Sequence, residues 1–102
     1  MKQQRYRVTL EHLSEPTGGP TSSRTLQFEV ANHDDMFAIV ERLRGRGDLG
    51  PDVAAALGVG LKLFGEVMLE EHANPLFSTF KPHFLQFMKQ LKKDAGESLA
   101  IS

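Results

Sequence analysis

A chain of 102 residues with 40% hydrophobic content has material for one modest core. Its net charge of −1, with the histidines neutral, offers nothing global to attract nucleic acid or an acidic surface. With no cysteine, disulfides, thiolate zinc sites and thiol nucleophiles are excluded.

The first residues, Met-Lys-Gln-Gln-Arg-Tyr-Arg, lack the apolar centre of a signal peptide. The longest uncharged apolar run, Val53 to Leu61, is about half a membrane span. A soluble cytoplasmic protein with no membrane partner is expected. Tyr6, Val8 and Leu10 alternate with Arg5, Arg7, Thr9 and Glu11, the period of a half-buried strand. Leu26, Phe28 and Val30 do the same against Thr25, Gln27 and Glu29. Between them Ser14 to Ser23, with Pro16, Gly18, Gly19 and Pro20, has no periodicity and reads as a long hairpin loop. Burying Val8, Leu10, Phe28 and Val30 together fixes the parity of the pairing. Centring the loop on Gly18 then sets Arg7 opposite Glu29, Thr9 opposite Gln27 and Val8 opposite Phe28.

Asn32 is the expected N-cap of a first helix, with Asp35 three residues on in the capping-box position. Met36, Ile39, Val40 and Leu43, with Phe37 beside them, supply its apolar side. Arg42, Arg44 and Arg46 suit its C-terminal end, and Gly45 or Gly47 its left-handed cap. Pro51 opens a central helix expected to run to about Glu71 or His72. Val53, Leu57, Leu61, Phe64 and Met68 share one side of it, and Ala55, Val59, Lys62, Glu66 and Glu70 the other. A single polar stripe predicts burial over most of the circumference. Gly58, Gly60 and Gly65 each cost about 1 kcal/mol against alanine in a helix interior. Ala54, Gly58 and Gly65 lie on one flank with almost no side-chain volume. Another element packed there would make Gly65→Ala an overpacking, destabilising change. Asn74-Pro75 ends the helix in a short turn with Leu76, Phe77 and Phe80. A last helix is expected from Pro82 to about Lys93, with Phe84, Phe87, Met88 and Leu91 as its apolar stripe.

The strand Tyr-Arg-Val-Thr-Leu, the segment Asn32-His33-Asp34-Asp35, the stretch Val59-Gly60-Leu61-Lys62-Leu63-Phe64 and Pro75-Leu76-Phe77 with Pro82-His83-Phe84 together resemble a known family. It is a family of small bacterial proteins of about this length, described only as a domain of unknown function. The resemblance runs over residues 5 to 93. It implies an α+β fold and a bacterial source, and brings no activity, cofactor or catalytic residue with it.

Chemistry has few footholds. His33, Asp34 and Asp35 are the candidate catalytic cluster, since carboxylates beside an imidazole can serve acid–base or divalent-metal chemistry. Successive residues on a helix point about 100° apart, so three in a row do not converge on one ion, and His72 or His83 would have to join them. A helix cap complementing the dipole is the preferred reading of the cluster. His83, at the start of the last helix, is the fourth candidate. The four histidines have no metal spacing, and no metal site is expected. Gly58-Val59-Gly60 lacks both the preceding strand and the third glycine of a dinucleotide loop, so no cofactor is expected. Arg5, Arg7 and Arg24 with Tyr6 suggest a basic strand face for RNA. Alternation turns Tyr6 away from the two strand arginines and puts Glu11 and Glu29 among them.

The sequence therefore predicts one α+β domain over residues 1–93, an antiparallel β-hairpin followed by three main α-helices with the central one buried, and a flexible tail at 94–102. Function is left with three readings. The first is a homodimeric interaction module without catalytic chemistry, binding itself or another protein. The second is a metal-dependent or acid–base enzyme built on His33, Asp34 and Asp35. The third is an RNA binder using the strand arginines.

Overall fold

Order along the chain is β1 (Gln4–Glu11), β2 (Thr25–Asn32), α1 (Met36–Arg44), α2 (Pro51–Glu70), a single 3₁₀ turn (Pro75–Phe77) and α3 (Lys81–Asp94). The computed structural model describes residues 3–18 and 24–94. Nearly all of the expected tail, from residue 95 on, lies outside the described residues. This is the predicted α+β hairpin followed by three helices. The described residues form two compact units, one up to Asp34 and one from Asp35 onward.

In the first unit β1 and β2 pair antiparallel in the expected register: Arg7 faces Glu29, Val8 faces Phe28 and Thr9 faces Gln27. The ladder continues one step past the strands, with His12 N donating to Arg24 O at 3.0 Å. Gly18 takes a φ of 80°, a left-handed turn conformation that glycine adopts without a Cβ penalty. Burial along the apolar face fades toward the loop. Tyr6, Val8 and Val30 are half-buried, whereas Leu10 (64%), Leu26 (56%) and Phe28 are exposed. The expected joint burial of Val8, Leu10, Phe28 and Val30 is thus met at one end only, because a two-stranded sheet has no layer of its own to cover its far end.

The start of α1 differs from the expectation by three residues. Asp35, not Asn32, is the N-cap, its Oδ1 accepting from Phe37 N at 3.0 Å and Ala38 N at 3.3 Å. Asn32 is the last residue of β2, and its Oδ1 accepts from Asp34 N at 2.9 Å. Both side chains are short acceptors suited to an N-cap, and the strand ladder claims the earlier one. Asp35→Ala is accordingly expected to lower stability by about 1 kcal/mol, read as a lower urea midpoint with unchanged slope. Gly47, with φ 84°, takes the left-handed position beyond the helix, while Gly45 stays right-handed.

Pro51 sits at the start of α2 as expected. The face that α2 buries is rotated by about 60° from the predicted one. Ala54, Gly58 and Met68 are buried, with Leu61 and Gly65 half-buried among them, and these five lie within about 40° of Ala54 around the helix. Two helices rest on this face. Ile39 and Leu43 of α1 form one buried cluster with Ala54 and with Leu91 of α3. Met68 forms another with Phe84 and Met88 of α3, and Leu61 packs against both clusters. Placing α1 and α3 side by side on α2 favours its flank of smallest volume, where backbones approach closest. Lys62, expected on the polar stripe, is buried, at 7% exposure. On the other side the rotation leaves Val53 (57%), Phe64 and Val67 exposed. Ala55, Leu57, Val59, Leu63 and Glu66 are half-buried, so α2 is at least partly covered over most of its circumference, as expected, and the exposed arc is apolar rather than polar. On α3, Phe84, Met88 and Leu91 are buried as expected, while Phe87 is exposed. Phe37 of α1 is exposed as well.

Candidate functional site

The hairpin-to-helix turn contains three of the four sequence candidates, His33, Asp34 and Asp35. Asn32 ends the strand and closes a side-chain turn onto Asp34 N. Tyr6 Oη donates to the backbone oxygen of Asp34 at 2.9 Å, tying β1 to this turn. His33 and Asp34 are half-buried, and the Asp35 carboxylate is engaged in capping α1. Of the three, Asp35 is the one whose side chain caps the helix, accepting from Phe37 N and Ala38 N. His83 is exposed in α3, and His72 is exposed just beyond α2. Among the described residues no three histidine, aspartate or glutamate side chains gather closely enough to hold a metal ion.

The strand arginines converge on one carboxylate. Arg5 Nη2 lies 2.8 Å from Glu29 Oε1, and Arg7 Nη2 lies 2.9 Å from Glu29 Oε2. The hydrogen bond from Arg5 is the largest cause, followed by that from Arg7, holding the Glu29 carboxyl below its ordinary range. Arg5 and Arg7, two of the three arginines of the proposed RNA face, are therefore directed at a glutamate on their own sheet. A carboxylate with a depressed folded-state pKa contributes stability above its unfolded value, lost as pH falls through the folded one. The difference in stability between the wild type and Glu29→Gln is expected to be constant near neutrality and to shrink in acid below the usual glutamate range. Urea midpoints across a pH series measure this, and parallel acid limbs for the two proteins would show the pair to be without effect.

The described residues include surface recesses on both the hairpin and α3. One of about 660 Å³ lies at the loop end of the hairpin, against Leu10, His12, Arg24 and Leu26. Another of about 600 Å³ follows α3 past Leu85, Met88, Lys89 and Lys92. The more extensive feature is apolar and convex. Val53, Ala56, Gly60, Phe64 and Val67 form an exposed stripe along α2, within about 40° of Gly60. The Phe64 ring lies 5.6 Å from that of half-exposed Phe80 and 6.0 Å from that of Phe77. Reading the sequence for a core assigned Val53 and Phe64 to it and so missed this surface. The available signal was an apolar arc wider than two neighbouring helices can cover.

Residues 4–93 match the family described as a domain of unknown function with a solved structure, DUF3861. Among solved structures, the chain is similar to a crystallised protein of unknown function from Pectobacterium atrosepticum. The two are 41% identical with a TM-score of 0.79, over 90% of this chain and 99% of that one. No curated protein matches it. Among the described residues no helix is long and apolar enough to cross a membrane.

Proposed function

The chain belongs to the DUF3861 family, and we propose that it is an interaction module that acts as a homodimer in the cytoplasm, without chemistry of its own. The observation that carries this reading is the number of large apolar side chains held at the surface by well-formed elements. Leu10 and Leu26 lie cross-strand from one another on the hairpin, and Val53, Phe64 and Val67 line α2, all exposed. On each unit, exposed apolar surface of this kind marks association sites in soluble domains. The hairpin adds two strand edges, a backbone pattern that an identical copy complements directly. A sequence free of cysteine suits the reducing cytoplasm.

The test is the molar mass of the intact chain by sedimentation equilibrium over a wide concentration range. A mass near twice the monomer's at micromolar concentrations supports the reading. A monomer throughout contradicts it.

A further inference from the structure

We propose that two copies join through the outward stripe of α2, the helices crossing antiparallel with Gly60 at the two-fold axis. The inference rests on the homodimer reading and names its surface. A two-fold contact brings the same patch of both subunits together, so the patch must complement itself. Around Gly60 the stripe does so in size. An antiparallel pairing sets Val53 against Val67, Ala56 against Phe64 and Gly60 against Gly60. The largest side chain meets one of the smallest, and glycine sits where the backbones come nearest. Among the described residues a Cβ built on Gly60 meets no atom within 4 Å, so none of them explains a residue that is unfavourable in a helix interior. Gly58 and Gly65, by contrast, have α1 and α3 against them.

Charge selects among occupants. No charged residue lies on the stripe over its length of about 21 Å, whereas 25% of the whole chain is charged. An acidic or basic partner finds nothing there to pair with, and an uncharged copy of the same stripe does. A stable dimer takes about 800 Å² from each partner, more than one helix stripe supplies. The surface extends on the side of Phe64 through the exposed part of Phe80, whose ring touches it.

The test uses the full chain and three comparisons. Gly60→Glu puts a charge at the axis while the protomer has open space for it. Its dimer dissociation constant is expected to rise at least about 100-fold, with an unchanged helical circular dichroism spectrum. Phe37→Glu, on the exposed side of α1, is expected to leave the dimer intact. Because the chain has no cysteine, Gly60→Cys places one thiol per protomer beside its own symmetry mate. Mild oxidation should cross-link it much faster than Phe37→Cys. A wild-type dimer that survives Gly60→Glu, or a Gly60→Cys variant that cross-links no faster than Phe37→Cys, overturns the α2 interface and leaves the homodimer standing. A monomeric wild type overturns both.

Discussion

Phe84→Ala is expected to destabilise the protein by about 3–5 kcal/mol, the largest effect of any single truncation in the helical unit. Phe84 is buried in α3 beside Met68 and Met88. Its ring also packs edge-on to Phe64 of α2, at 5.6 Å and 75°, and lies 6.2 Å from Phe80. One side chain therefore joins α2, α3 and the segment between them. Aromatic pairs at these separations add about 0.5–1.5 kcal/mol beyond area burial. The neighbours are the rings of Phe64 and Phe80, each anchored in its own backbone, so collapse into the vacated space is incomplete and the cavity term is retained. Marginal domains of this size have about 5–15 kcal/mol of total stability, so a large part is lost. The measurement is the urea midpoint at one fixed protein concentration, with Phe37→Ala as the exposed control expected to stay within about 0.5 kcal/mol. A Phe84→Ala midpoint close to that control would show the aromatic cluster to be loosely packed.

Leu43→Ala is the second, at about 2–5 kcal/mol. Leu43 has 0% exposure and ends the buried side of α1 against Ala54 and Leu91. It is the point at which α1 meets both longer helices. Removing three carbons there separates α1 from its support, and α1, at nine residues, is too short to persist alone in water. The loss should appear in hydrogen exchange as well, with the amides of α1 deprotected before those of α2.

Much of this architecture could be read from the residues. The hairpin register followed from two constraints, parity of the apolar residues and the centre of the loop, and pairing within a sheet leaves no other freedom. Pro51 and Asn74-Pro75 marked the limits of α2 because their effects are local to the backbone. The cap of α1 was misplaced because Asn32 and Asp35 carry the same chemistry, and only the length of β2 decides between them. The rotation of α2 had a different origin. Periodicity locates the apolar arc of a helix, but the part of that arc that is covered depends on where neighbours fit. Here α1 and α3 follow the glycine flank, so Val53 and Phe64 come out. The same rotation exposes an apolar surface that no motif announces.

Helix α2 is a pillar whose small-residue face accepts α1 at Gly58 and α3 at Gly65, at different distances. A Cβ on Gly58 would lie 3.2 Å from both Leu43 Cδ1 and Val40 Cγ2, and the enclosed Leu43 has no room to retreat. A Cβ on Gly65 would lie 3.5 Å from the Phe84 ring, an ordinary contact. The overpacking expected at Gly65 from the sequence therefore belongs to Gly58. Alanine gains about 1 kcal/mol of helix propensity at either position, while overpacking costs about 1–3 kcal/mol. Denaturation midpoints of Gly58→Ala and Gly65→Ala, measured side by side, test this most directly. The account predicts Gly65→Ala above the wild type and Gly58→Ala below it, and equal stabilisation by both would contradict it.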